Sequence, residues 1–266
     1  MPERGRGHSG VLWEREHALY VILMFLYLHS NYRKMVLITC DLHIHTSASA
    51  DGKCPVKDVI AKAKERGLDA ISITDHDTTE GAKQALALKN PGILIIPGIE
   101  VSTKQGHLLV LGTTKMFEQG KDVLETIREA KAEGCLTIVP HPYHRWRHAV
   151  GLHSPDALQE ADAIEVFNSR YYIGTANSRA AKVAKKYHKP MTAGSDAHTC
   201  QFVGYGINII DAEERTVASV LDAIRKGKIE SRCKKTPIRT YTSQSFHNVV
   251  RKVRRQTSRM KPRRVR

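Results

Sequence analysis

The sequence predicts an α/β fold whose mostly parallel strands close into a small or irregular barrel. Three observations predict it. From Met35 onward, short apolar runs alternate with longer amphipathic stretches, the pattern of strands joined by helices. The chain has 266 residues, and an α/β barrel commonly needs ~250 or fewer. Metal-capable side chains also recur just after the apolar runs, and in a barrel those positions share the C-terminal face, where catalytic groups gather.

The expected strands, in order, are VLITC (36–40), AISIT (70–74), ILIIPG (93–98), HLLVLG (107–112), LTIVP (136–140), AIEVF (163–167) and MTAG (191–194). Between most of them lie helical patterns. VKDVIAKAKERG (56–67) puts Val56, Val59, Ile60 and Ala63 on one face and stops at Gly67. Residues 122–134 repeat the scheme, and 175–190 and 213–227 add two more helices. The exception is 93–112, where Lys104–Gly106 reads as a hairpin turn between strands.

The formal charge of +15 suggests a nucleic-acid binder until it is partitioned. Residues 35–231 hold 24 basic and 24 acidic side chains, whereas 232–266 hold thirteen basic ones and no acid. The cationic character therefore belongs to a tail, whose partner is an addition to the main substrate. Residues 1–34 read as an N-terminal extension ahead of a native start at Met35. Their apolar run, Ala18–Leu28, is eleven residues long, short of the ~20 that span a bilayer. The five cysteines are scattered and form no C-x-x-C pair. That argues against a disulfide framework and a zinc ribbon, and predicts free thiols in a cytoplasmic protein.

CDLHIHTSASADG (40–52) follows the first strand with Asp41, His43, His45 and Asp51. The second strand leads into Asp75, His76 and Asp77, the third into Glu100, and His107 opens the return strand of the hairpin. His141, Asn168, and the pair Asp196 and His198 follow the later strands. His43/His45 and Asp196/His198 are i, i+2 pairs, which project to one side of an extended chain. One buried histidine is more often a satisfied core residue than a ligand. Six histidines and three carboxylates at strand ends exceed what one ion takes, and suit two or three ions. Mixed imidazole and carboxylate donors favour Zn, Mn or Fe over Mg or Ca. Three such ions against three carboxylates leave about +3, a site for an anionic ester with an acidified water.

DLHIHT…DG, ITDHD, GIE, a strand-leading His, HP and GSDAH, in that order over residues 37–210, resemble the PHP (polymerase and histidinol phosphatase) superfamily of metal-dependent phosphoesterases. The resemblance implies a distorted (β/α)7 TIM-like barrel over 35–231 with a trinuclear centre. Its implied ligands are His43, His45, Asp51, His76, Glu100, His107, His141, Asp196 and His198. The Glu100–His107 gap is short for the family, and His144 rivals His141.

On the substrate side, Arg145, Arg147 and Arg170 are candidate phosphate clamps, although loop arginines are usually just solvated. Asn168 should face the site. Asp77 either serves a neighbouring ligand and moves a proton, or caps a helix from Thr78. In the tail, Phe246, Val249, Val250 and Val253 are spaced as an amphipathic helix with basic residues opposite. RNA or DNA is one candidate partner and an acidic protein or membrane surface another, while the plain alternative is a helix packed on the barrel ahead of a disordered basic end. The leading expectation is a hydrolase of phosphomonoesters or nucleotide phosphates acting through a metal-bound hydroxide, without a membrane span. One alternative is a nuclease acting on RNA or DNA ends recruited by the tail. Another is a non-catalytic nucleic-acid-binding subunit, and histidinol phosphate also remains a candidate substrate.

Overall fold

Strand β1 (Val36–Ile44) is buried from Cys40 onward and has a strand on each side. It pairs in parallel with β2 (Ala70–Ile73), which pairs in parallel with β3 (Leu94–Ser102). The chain then turns back through β4 (His107–Leu111), antiparallel to β3 and to β5 (Leu136–Val139). Strands β6 (Ala163–Asn168) and β7 (Met191–Gly194) continue in parallel from β5. On the other flank β8 (Gly206–Ala212) lies antiparallel to β1, and β9 (Ile229–Cys233) antiparallel to β8. The computed structural model describes residues 35–144, 149–171 and 175–233, which apart from Met35 belong to a compact unit beginning at Val36. Among them the nine strands form one sheet, ordered β7-β6-β5-β4-β3-β2-β1-β8-β9.

The ends of this sheet nearly meet. Beyond β7, Asp196 N donates to His43 O (2.8 Å), and His45 N donates to Ala197 O (2.9 Å). Asn208 on β8 seals the seam lower down: its amide donates to Ala193 O (2.8 Å) and Cys40 O (3.2 Å) and accepts from Ala193 N (2.8 Å). These bonds satisfy backbone groups that an open edge would expose.

Helices cover the sheet because each carries one apolar stripe. Helices α1 (Val56–Glu65) and α2 (Glu80–Leu86) bury Val59, Ile60, Ala63, Ala82 and Ala85 against Ile71, Ile73 and Ile95. Helices α3 (Val123–Ala132), α5 (Pro155–Glu160) and α6 (Ala176–Lys186) cover the opposite flank at Ile99, Val110 and Ile164. The one-turn α4 (Val150–His153) precedes α5. Ile38, Cys40, Leu42, Ile96, Leu109 and Ile138 pack together in a third cluster with Val220 and Ile224 of α7 (Val217–Arg225). They alternate with residues of the helix-covered faces, so they fill the barrel interior.

Three expectations need correction. The sheet is only half parallel, and β8 and β9 were not foreseen; β8 alternates buried and half-buried residues over a short antiparallel stretch. Helix α2 starts at Glu80 with Thr79 at its N-cap, so Asp77 does not cap it. Cys54 and Cys200 form a disulfide between residues 146 apart in sequence, while Cys40 and Cys135 are free and buried. No local spacing announces that pair; barrel closure brings the loops after β1 and β7 together. Among the described residues no helix is long and apolar enough to cross a membrane.

Candidate metal centre

Two irregularities in the sheet aim side chains into the cleft. In β1 the even-numbered Ile38, Cys40 and Leu42 belong to the interior cluster, but Ile44 belongs to a helix-covered one. The register with β2 shifts between Asp41 and Ile44, and this bulge turns His43 and His45 inward. In β6 the register with β7 shifts between Glu165 and Phe167. Glu165 and Asn168, an odd and an even position, therefore both face inward, with Asn168 Nδ2 2.9 Å from Glu165 Oε2.

All nine expected ligands converge. They form four overlapping groups, His45/Asp51/His76/His198, His43/His45/Asp196, His43/Glu100/His141 and His76/Glu100/His107. Within each, the donor atoms lie within 4.8 Å of one another. Glu100 is the hub. Its Oε2 is 3.2 Å from His43 Nε2, 3.1 Å from His45 Nε2 and 3.4 Å from His76 Nδ1. Its Oε1 lies 3.0 Å from His107 Nδ1 and 3.1 Å from His141 Nε2. Asp51 Oδ2 lies 3.0 Å from His198 Nε2. His141 thus enters the cluster, whereas His144 packs edge-on against Tyr171.

Cations fit this donor set. His43 Nε2 and His45 Nε2 are 3.1 Å apart, and both point at Glu100 Oε2. These are three acceptor atoms facing one another in a buried site unless protons or a cation stand between them. The electrostatics carry the same signature. Burial opposes charge on His43, yet Glu100, Glu165 and Asp196 lift its pKa well above the ordinary imidazole value. His107 is raised against its own burial by Glu100. Burial pushes His76 down to about 4 against the pull of Glu100. Burial also lowers His45 and His198, aided at His45 by His198 and at His198 by Arg170. Glu100 is held well below the usual carboxylate range, despite burial, by His76, His43 and His107.

Backbone strain marks the same place. Five described non-glycine residues have positive φ, and three of them, Asp77 (52°), His141 (31°) and Asp196 (51°), belong to the site. Such conformations cost of order 1–3 kcal/mol each and persist where the surroundings enforce them.

The other expected residues divide. Arg170 is buried at the centre, with Nη1 3.1 Å from Asp196 Oδ1 and 2.6 Å from His198 Nδ1. Asn168 donates through Nδ2 to Glu165 and to Asp196 Oδ2 (3.1 Å), and its Oδ1 accepts from Arg170 N (3.0 Å). Asp77 accepts from both Ser102 N and Ser102 Oγ (2.7 Å each), bracketing the strand that carries Glu100. Arg145, Arg147, the extension 1–34 and the tail helix around Phe246–Val253 lie outside the described residues.

Sequence reasoning singled out Asp41 and Asp75 only as metal-capable side chains and missed their place in a layer behind the donors. Asp75 accepts from Thr46 N (2.6 Å) and Oγ1 (2.7 Å), pinning the loop after β1. Asp41 accepts from Ser195 N (3.1 Å) and Gly204 N (2.8 Å), fastening β1 to the segment after β7. Burial raises its pKa to about 6, against those hydrogen bonds. In the sequence Glu165 is simply part of the strand AIEVF. Its inward direction depends on the β6 bulge, which no residue spacing reveals.

A family model described as PHP-associated matches residues 174–229. The chain is 33% identical over 158 residues to an uncharacterized protein of Methanocaldococcus jannaschii, covering 55% of this chain and 91% of that one. It is 32% identical over 128 residues to the phosphoribosyl 1,2-cyclic phosphate 1,2-diphosphodiesterase of Eggerthella lenta, 46% of this chain and 42% of that enzyme. It therefore spans less than half of that named relative. A similar fold (TM-score 0.62, 21% identity, 75% of this chain and 66% of the other) occurs in a two-domain protein of Bacteroides vulgatus containing a predicted PHP-like metal-dependent phosphoesterase.

Proposed function

Because the chain belongs to the PHP superfamily of metal-dependent phosphoesterases, we propose that it hydrolyses small phosphomonoesters or nucleotide phosphates at a centre of two or three divalent ions. The sharing of ligands carries this reading: His43, His45, His76 and Glu100 each belong to two of the four donor groups, as in a centre whose ions are neighbours. His43, His45, Asp51, His76, Glu100, His107, His141, Asp196 and His198 would hold the ions. Their nitrogen and oxygen donors suit Mn, Zn or Fe. When bound, the ions supply Lewis acidity toward phosphoryl oxygens and toward water.

The protein's own groups do the rest. Arg170 presents a buried guanidinium beside Asp196 and His198, placed to take phosphoryl oxygens and to balance charge as the ester is cleaved. Asn168 orients Asp196 from behind. Asp77, with both oxygens engaged by Ser102, acts as a brace. The division into an extension over 1–34, a phosphoesterase domain and a basic tail belongs to the same reading, with the tail beginning after β9 at Cys233. So does a cytoplasmic location, against which the Cys54–Cys200 disulfide weighs.

The test is metal analysis of the purified protein together with a panel of phosphate esters, each assayed also with Asp196→Asn. Asparagine tolerates the left-handed backbone at 196 and keeps the shape while removing the charge and one acceptor oxygen. We expect two or three ions per chain, and hydrolysis that disappears in the variant. Unaltered turnover by Asp196→Asn sinks the assignment. The thirteen cations of 232–266 favour a second reading, in which the ester is the end of RNA or DNA. Removing 234–266, which spares β9, should then cut oligonucleotide hydrolysis and leave a small aryl phosphate unaffected.

A further inference from the structure

Glu165 is a buried carboxylate that is none of the nine donors. Its Oε1 lies 3.0 Å from His43 Nδ1. Its Oε2 accepts from His141 N (2.8 Å) and from Asn168 Nδ2 (2.9 Å). The same Asn168 Nδ2 also donates to Asp196 Oδ2 (3.1 Å). One side chain thus touches His43 directly, His141 through its backbone and Asp196 through one intermediary. The packing around it leaves no slack: a Cβ on Gly194 would stand 2.1 Å from Glu165 Oε1 and 2.6 Å from His43 Cβ.

We propose that Glu165 is a positioning residue that holds His43 as the Nδ1–H tautomer, so that the Nε2 lone pair faces the cleft, and that fixes His141 and Asp196 through the same carboxylate. The inference rests on the metal-centre reading. A neutral imidazole carries one proton, and the nitrogen that donates it decides which nitrogen remains a ligand. An ionised carboxylate only accepts, so Oε1 favours a proton on Nδ1. Glu100 Oε2 faces Nε2 as well, but it is shared with His45 and His76, and a cation held there would take the place of a proton on Nε2. The opposite nitrogen is the one that meets His45 Nε2 and Glu100 Oε2. A glutamine at 165 has a single oxygen and cannot accept on both sides. Either His43 or the His141–Asn168 pair then loses its acceptor.

Two measurements on the 266-residue chain test this. In the first, zinc is titrated into metal-stripped wild type and Glu165→Gln against a chromophoric chelator, with circular dichroism confirming the fold. Partners of this kind typically change metal affinity 10–100-fold, and a loss in that range is expected. An affinity within about twofold of wild type overturns the proposal. In the second, long-range 1H–15N spectra of histidine-labelled wild type are recorded, with His43 identified through His43→Asn. They are taken metal-free, at a pH alkaline enough to leave the ring neutral. A proton on Nδ1 supports the proposal and a proton on Nε2 overturns it. This spectrum decides even if Glu165→Gln does not fold. It also decides if wild type takes up no zinc, an outcome that defeats the metal-centre reading by itself. A role in packing alone would move neither the tautomer nor the zinc affinity.

Discussion

The floor and the rim of the cleft are built differently. His43, His45, Glu100, His141, Asp196 and His198 form the floor; all are buried, and they stand on strands or shortly behind them. Asp51, His76 and His107 form the rim, with side chains 27%, 22% and 14% exposed. Asp51 and His76 sit on loops. The floor is braced from behind by Glu165, Asn168 and Asp41, so its geometry is set by the barrel itself. The rim leans on the floor through Glu100 and His198. A donor set built this way should lose everything when the floor is cut and only part of its function when the rim is cut.

Glu100→Ala is the largest expected break. It strips five imidazoles of their shared carboxylate, and breaking a buried ion pair from one side costs roughly 3–5 kcal/mol. Hydrolysis should fall by more than the roughly 100-fold that an outer partner can cost, and bound metal should drop to near zero by elemental analysis. At the rim, Asp51→Asn should cost about 10–100-fold in turnover and some of the bound metal. Its melting temperature should stay close to wild type, as for most changes at partly exposed sites. Equal losses from the two variants would erase the distinction.

The pH dependence of metal uptake sharpens it. His43 and His107 have raised pKa values, so the metal-free protein keeps their protons to higher pH than an ordinary imidazole would. An entering cation must displace those protons. Affinity should therefore rise with pH, about tenfold per unit for each proton displaced, until His43 and His107 are neutral. His45, His76 and His198 are lowered and already neutral near pH 7, so they should release none. Calorimetry in buffers of different ionisation enthalpy counts the protons. The smallest effect on turnover, a few-fold at most, should follow reduction of Cys54–Cys200, which ties the Asp51 loop to the segment after His198. Its contribution should appear as stability, about 2–4 kcal/mol, in melting curves with and without reductant.

The clustered donors were legible in the sequence for a chemical reason. A metal donor must be His, Asp, Glu or Cys, few residue types offer that, and strands deliver them at their ends. The apolar faces of α1, α3, α6 and α7 were legible through their 3.6-residue period. The brace was not legible, because Glu165, Asp41 and Asp75 are ordinary acids until two bulges and the barrel seam set their direction. The disulfide was hidden for the same reason, since its partners meet only in three dimensions. Strands β8 and β9 escaped because short antiparallel strands with one half-wet face carry a weak apolar signal.

The seam between β1 and the segment after β7 also governs when the site can exist during synthesis. His43 leaves the ribosome early, but the backbone bond that fastens it comes from Asp196, and β1's antiparallel partner begins at Gly206. At ~5–20 residues per second, many seconds separate the first ligand from the last. Through that interval β1 is an apolar strand with one edge unpaired. Contacts this distant in sequence also make closure slow. A nascent chain therefore carries its clustered donor residues without a site until nearly the whole barrel has emerged, and a chaperone that shields β1 should raise the yield of folded protein more than added metal does.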